Sequence, residues 1–148
     1  MIPTPREQVL EALLSHFKQN LAPLFKTFSR KLKMWDQVPH EDQPAFFLTA
    51  HEEDHRRTQR GTPRNMDMMG HIYIYARIQD GEVGDQVVNK LLEAVEAAFT
   101  PDGGQQAGTT FTIDGRVYNC WIEGRVLREP GDLDGQALIM IPVNISFP

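Results

Sequence analysis

The feature that most constrains this chain is a run of alternating residues near its C-terminus. Every second residue from position 137 onward is apolar, namely Ala137, Ile139, Ile141, Val143, Ile145 and Phe147. Met140, Asn144 and Ser146 have the opposite parity. Because successive side chains of a strand point to opposite faces, the run predicts a strand with one buried face.

A second alternating run precedes it, and its apolar parity comprises Tyr118, Cys120, Ile122, Gly124 and Val126. Between the two runs, the segment 129–135 contains Pro130, Gly131 and Gly135, residue types that favour chain reversal. Together the two runs predict a long antiparallel hairpin over residues 116–147, against which the other elements pack.

The rest of the chain predicts two helices and four further strands. A capping-box pattern at Thr4–Glu7 begins a helix over residues 5 to about 20, and Asp85 is the predicted N-cap of a second helix that ends at Thr100-Pro101. Strands are predicted at 25–34, 44–50, 66–79 and 109–113, the last turning at Asp114-Gly115. The order α-β-β-β-α-β-β-β predicts a single α+β domain over residues 1–148, a largely antiparallel sheet packed with two amphipathic helices.

The predicted strand 66–79 has two distinct faces. Met68, Gly70, Ile72, Ile74, Ala76 and Ile78 share one parity, and His71, Tyr73, Tyr75 and Arg77 share the other. His71, Tyr73 and Tyr75 either lie beneath a helix or are exposed and form a subunit interface, since tyrosine is enriched at interface hot spots.

Composition narrows the class of protein. The chain has 148 residues, a hydrophobic fraction of 41% and a net charge of −5, which fits one domain and argues against a general binder of nucleic acid or anionic membrane. Cys120 is the single cysteine and is predicted to be a small core residue. Without a signal peptide or an apolar run of membrane-spanning length, we expect a protein made in the cytoplasm, with no membrane partner.

The best candidate for catalysis is the segment His51-Glu-Glu-Asp-His55, where His51, Asp54 and His55 could hold a divalent metal. However, histidines four residues apart in an extended chain are about 13 Å apart, too far to share one ion. No nucleophile elbow, phosphate-binding loop or dinucleotide fingerprint is present. We therefore expect no cofactor, no metal and no enzyme activity, with a metal-dependent enzyme as the minor alternative.

The sharpest charge feature of this acidic chain is a cluster of arginines between two predicted strands, namely Arg56, Arg57, Arg60 and Arg64. The segment 51–65 shows neither helical nor strand periodicity and is predicted to be a long loop or hairpin tip. The arginines either are solvated or dock against an acidic partner surface, where the guanidinium fork binds carboxylates bidentately. Nucleic acid is a third, weaker alternative, since stacking aromatics are missing.

Several strings of the sequence carry a resemblance to a known family. They are Ile113-Asp-Gly-Arg-Val-Tyr-Asn-Cys-Trp-Ile-Glu-Gly124, the turn Gly131-Asp-Leu-Asp-Gly-Gln136, Ile141-Pro-Val143, and Arg30, Leu32 and Trp35 ahead of Gln43-Pro-Ala-Phe-Phe-Leu48. These strings resemble tail terminator (tail completion) proteins of long-tailed bacteriophages. The similarity extends through much of the chain and is closest over residues 113–143.

This resemblance implies a structural virion protein without enzyme activity. Such a protein would form a ring, typically a homohexamer, on the last ring of the tail tube, stop tube polymerisation and present a surface for head attachment. Its partners would be its own copies, the tube protein and a head connector or head-completion protein, with DNA passing only incidentally. The expected location is the head-proximal end of the tail. The alternative within this class is another neck or tail protein, such as a head-completion protein or a tube subunit.

Overall fold

The computed structural model describes residues 5–56, 65–99, 101 and 110–147. The elements in order are α1 (Pro5–Leu21), β1 (Thr27–Ser29), β2 (Ala45–Arg56), β3 (Asn65–Arg77), α2 (Gly84–Ala98), β4 (Asn119–Ile122), β5 (Leu127–Glu129) and β6 (Gln136–Phe147). Two short 3-10 helices, Trp35–Gln37 and His40–Asp42, lie between β1 and β2. The fold is α+β with the order α-β-β-β-α-β-β-β, as the sequence predicts.

The strands form one sheet in the order β1-β2-β3-β6-β4, and β5 also pairs with β6. Only the pairing of β1 with β2 is parallel among these strands, and the others are antiparallel. At the centre, Ile72 of β3 is opposite both Leu48 of β2 and Ile141 of β6. β3 and β6 are therefore the central strands.

Both helices pack on one face of this sheet, which we call the helix face. The side chains of Ile139, Ile141, Val143 and Ile145 are buried in one cluster with Leu13 of α1 and Leu91 of α2. Leu14 and Leu92, also predicted in this core, are half-buried at its margin. The predicted parity of β6 is confirmed, since its isoleucines lie beneath the helices.

The predicted C-terminal hairpin is confirmed but its first strand is interrupted. β4 and β5 are both antiparallel to β6, and Ile122 is opposite Val143 while Leu127 is opposite Met140. Between these two pairs, the four residues 123–126 on one side correspond to the two residues 141 and 142 on the other. Because the excess is an even number of residues, the same parity faces the helices on both sides of the interruption.

The strand predicted at 109–113 is wrong for the part that the structure describes. Residues 110–113 have no strand structure, although Phe111 and Ile113 are buried. The turn at Asp114-Gly115 exists, but it closes a short loop in which the Val117 amide donates to the Thr112 carbonyl at 3.1 Å. The last three strands of the order are therefore β4, β5 and β6.

Two other strand predictions have different bounds. The strand predicted over 25–34 is limited to β1, and Leu32 and Met34 are exposed beyond it. Conversely, residues 51–56, predicted to be loop, continue β2. Neither face of this extension is apolar, and it is held by pairing with β3 and by the ion pair between Glu53 and Arg6 of α1.

The start of α2 differs from the prediction by one position. The helix begins at Gly84 after Val83, so Asp85 lies in the first turn rather than at the N-cap. A Cβ atom added at Gly84 would lie 2.0 Å from the Pro130 carbonyl oxygen, so glycine lets the helix approach the β5–β6 connection. Thr4, the other predicted cap, is outside the described residues. Neither helix has the length and apolar character of a membrane span.

A buried pair of glutamines fixes the segment before β2 to the central strands. The side chains of Gln43 and Gln136 donate to each other's amide oxygens at 3.3 and 3.0 Å. Gln43 also donates to the Val38 carbonyl, and Gln136 donates to the Ala76 carbonyl. Both glutamines belong to strings that carry the resemblance described above, so in this fold those two positions have a structural role.

Replacing Gln136 by Leu should lower the free energy of unfolding by about 1–3 kcal/mol, because the amide of Gln43 would stay buried without its partner. Urea denaturation of this variant, of Gln43→Leu and of the double variant measures the coupling between the two residues. We expect the double variant to lose less than the sum of the single losses. Additive losses would contradict the pairing.

Candidate functional site

The sheet face opposite the helices, which we call the outer face, is only partly covered. His71, Tyr73 and Tyr75 of β3 lie on it, beside Leu138 and Met140 of β6. The hypothesis that these β3 residues lie beneath a helix is wrong, because both helices are on the other face. Their role as a subunit interface stays a prediction.

One end of the outer face is covered by the segment that contains the 3-10 helices. Tyr75 is buried there, its hydroxyl donates to the Lys33 carbonyl at 2.6 Å, and its ring packs against Phe47 and Val38. Burial raises the pKa of the Tyr75 hydroxyl above its usual value. In this fold Tyr75 therefore lies beneath the outer face and is not exposed.

Beyond Tyr75 the outer face opens into a cavity of about 410 Å³, which we call the apolar groove. Its floor includes Tyr73 and Met140, and its walls include Met34, Trp35 and Leu127. The three wall side chains are 62%, 43% and 49% exposed, although all are large and hydrophobic. An exposed apolar surface of this kind marks an interaction site.

A second cavity, of about 360 Å³, adjoins the apolar groove along β3 and contains two histidines. His51 is the bulged residue of β2, which lies between the pairs Ala50–Gly70 and Glu52–Met69. The rings of His51 and His71 are 4.2 Å apart, and His51 Nε2 is 3.1 Å from the Tyr73 hydroxyl. His51 has the same parity as Thr49, which is opposite His71, so His51 lies on the outer face next to His71 and Tyr73. The bulge shifts the residues that follow it to the opposite parity.

The same bulge separates the two histidines of the candidate metal site. Glu53 and His55 are opposite Met68 and Met66, which are buried on the helix face, whereas His51 contacts His71 on the outer face. His55 Nε2 instead lies 3.3 Å from a Glu53 carboxylate oxygen. No group of three metal-ligating side chains occurs within 5–56, 65–99, 101 and 110–147. The minor alternative of a metal-dependent enzyme using His51, Asp54 and His55 has no geometric support in this part of the chain.

The environment of His71 shifts its protonation equilibrium. Burial lowers the pKa of His71 below its usual 6.5, the neighbouring His51 lowers it further, and Glu52 opposes the shift. Nδ1 of His71 has no hydrogen-bond partner among the described residues. The folded protein therefore favours a neutral imidazole at this position.

A depressed histidine pKa makes stability depend on pH in a defined direction. Between the folded-state pKa and 6.5, the unfolded chain binds more protons than the folded chain, so the free energy of unfolding falls as the pH decreases below about 6.5. We expect His71→Gln to weaken this dependence in urea denaturations at pH 5.5 and 7.5. Glu53 changes the stability only at lower pH, because the hydrogen bond from Arg6 lowers the pKa of Glu53 below 4.5. If the free energy of unfolding changed as much between the two pH values in His71→Gln as in the unaltered protein, the assignment to His71 would be contradicted.

One of the four predicted docking arginines lies within the described residues. Arg56 ends β2, opposite Asn65, with an exposed guanidinium 3.8 Å from the Asp54 carboxylate. Arg57, Arg60 and Arg64 lie outside the described residues.

Sequence reasoning identified β3 as a contributor to this surface but missed the walls of the apolar groove. Met34 ends the strand predicted over 25–34, and Trp35 begins a segment for which a loop is predicted. Leu127 has the parity opposite to the apolar one. The available signal was the presence of large apolar residues at positions with no predicted core partner. A scan of protein-family models finds no match to this sequence, and a search of curated proteins finds no significant match.

Proposed function

We propose that this protein is a tail terminator of a long-tailed bacteriophage. In this proposal it forms a ring on the end of the tail tube, stops tube polymerisation and provides the surface to which the head attaches. The observation that carries the proposal is the resemblance of the sequence over residues 113–143, which includes the turn Gly131–Gln136.

The outer face supports a role in assembly. A sheet with two helices on one face and an apolar groove on the other leaves hydrophobic surface for a protein partner. A ring also uses one surface many times, so modest contacts at each subunit add up to firm capping. The proposal requires no cofactor and no catalytic group.

Self-association is the first expected property. Sedimentation of the purified protein at high concentration should show species larger than the 16.9 kDa monomer, and rings should be visible on tail ends by electron microscopy. We expect weak association in solution and firm association on the tube, because the tube end presents repeated binding sites. A strict monomer in both settings would contradict ring formation.

Electron microscopy of particles assembled without this protein tests the function itself. Loss of a terminator should give overlong tails and detached heads. Loss of a tube subunit would instead give no tails, and loss of a head-completion protein would give tails of normal length without heads. The tail-length distribution therefore separates the proposed function from its two nearest alternatives.

A further inference from the structure

The connection between β5 and β6 presents a fully exposed leucine on a well-defined loop. Leu133 has no contact that reduces its exposure, while the loop is closed by a hydrogen bond from the Gly135 amide to the Gly131 carbonyl at 2.8 Å. Both glycines have positive φ, and the Gly135 carbonyl accepts a hydrogen bond from Ile78. The leucine is thus held outward by the backbone of its own loop.

Charged residues of opposite sign lie next to Leu133 and next to the groove residue Met34. Asp132 and Asp134 flank the leucine and are exposed, whereas the exposed Lys31 and Lys33 precede Met34. Of the two charged residues that line the groove, Arg128 is paired with Asp85 of α2 and Glu129 accepts a hydrogen bond from the Gly131 amide. None of Asp132, Asp134, Lys31 and Lys33 is in an ion pair within the described residues. The molecule therefore carries an acidic projection with an apolar tip, and an apolar groove that two lysines precede in the sequence.

We propose that Leu133 of one copy of this chain inserts into the apolar groove of the next copy, with Asp132 and Asp134 facing Lys31 and Lys33 of that copy. The occupant is a second copy because an exposed apolar tip between two carboxylates and an apolar groove preceded by two lysines are both present on this chain. A single exposed leucine is ordinary on a protein surface, but a matching groove elsewhere on the same molecule permits head-to-tail association.

This contact is heterologous, since the two surfaces that meet are different. A pair of bound copies still has one projection and one groove free, so addition continues until a ring closes or a filament forms. The contact deepens the proposed ring and rests on that proposed function for its closure. It assigns the interface to Leu133 and the groove, with Tyr73 in the floor and Tyr75 beneath it.

The test uses two variants that each remove one half of the contact. Leu133→Asp removes the apolar tip, and Met34→Asp places a negative charge at the exposed margin of the groove. Tyr118→Asp is the matched control, because Tyr118 is also a large exposed side chain but lies near the opposite end of β6. Circular dichroism and thermal denaturation establish that all three variants fold.

Sedimentation velocity up to roughly 1 mM protein, a concentration that detects weak contacts, measures self-association. We expect Leu133→Asp and Met34→Asp alone to associate at least about tenfold more weakly than the unaltered protein, and Tyr118→Asp to be unchanged. A mixture of the first two should form a one-to-one dimer and nothing larger, because only one intact tip and one intact groove can meet.

Several results would overturn the contact. They are an unaltered protein that is monomeric throughout, variants that associate normally, or a mixture that forms no dimer. If Leu133→Asp keeps self-association but no longer caps isolated tubes, the leucine binds the tube protein and the contact between copies is also overturned. Failure of the proposed function is seen separately, as tails of normal length in particles that lack the protein.

Discussion

Replacing Ile141 by alanine should lower the free energy of unfolding by about 2–4 kcal/mol. Ile141 is fully buried in the middle of β6, opposite Ile72 of β3, and belongs to the cluster that both helices cover. Removing its side chain beyond Cβ deletes apolar contacts and leaves a cavity that β3 and β6 cannot fill, because each is paired on both sides. Urea denaturation measures this loss, and we expect the dependence of the free energy of unfolding on urea concentration to be the same in the variant.

The adjacent residue is the matched control for this prediction. Met140 is half-buried on the outer face, where it lines the apolar groove, so Met140→Ala should lower the free energy of unfolding by only about 1 kcal/mol. The two neighbouring positions thus differ because their side chains lie on opposite faces of one strand. Equal losses, or a larger loss at Met140, would show that the helices cover the other face of β6.

The central strands could be predicted because burial imposes a period of two on them. β3 and β6 each have one face under the helices, so a buried apolar residue occurs at every second position along them. The same period was misleading at Phe111 and Ile113, which are buried without belonging to a strand. Alternation indicates which side chains are buried, and it does not show whether their backbone is paired.

The polar end of β2 could not be predicted for the converse reason. Residues 51–56 are exposed, so no apolar period marks them, and their structure depends on pairing with residues 65–69 of β3. The bulge at His51 is likewise a property of two strands in register rather than of either sequence. Consequently the contact of His51 with His71, and its separation from His55, appear only in the folded chain.

The candidate site was partly predictable for a related physical reason. The outward parity of His71 and Tyr73 follows from the buried parity of their neighbours, and the structure agrees. The apolar groove combines β3 and β6 with Met34, Trp35 and Leu127, which are remote in sequence. The segment that covers Tyr75 is joined to the central strands by the Gln43–Gln136 pair and by the hydrogen bond from Gln43 to the Val38 carbonyl. Contacts between residues so far apart in the sequence produce no local pattern from which they could be predicted.

The two surfaces proposed for assembly lie at opposite ends of β3. Arg56 is opposite Asn65, the first residue of β3. The loop that carries Leu133 lies at the other end, next to the pair formed by Gln136 and Arg77, the last residue of β3. This separation makes their effects experimentally distinct. Variants at Leu133 should change contacts between copies, and variants of the arginines should change docking to a neighbouring ring.

Under the function proposed above, replacing Arg56, Arg57, Arg60 and Arg64 together by serine should abolish capping of the tail tube while leaving the fold intact. The four residues concentrate positive charge in a chain of net charge −5, which fits an acidic partner surface. Arg56 is exposed and its only ion pair within the described part of the chain is the 3.8 Å contact with Asp54, so its loss should hardly affect stability. Exposed charge contacts are screened, and capping by the unaltered protein should therefore weaken as salt is raised.

Complementation measures this effect: phage that lack the protein are supplied with each variant, and normal-length tails joined to heads are counted. A fourfold lysine variant is the matched control, because it keeps the charge but not the planar fork that binds carboxylates bidentately. We expect no normal tails with serine and intermediate numbers with lysine, since charge alone supplies part of the attraction. Full rescue by the serine variant would show that these arginines are only solvated, and docking would then have to use the outer face around His71 and Tyr73.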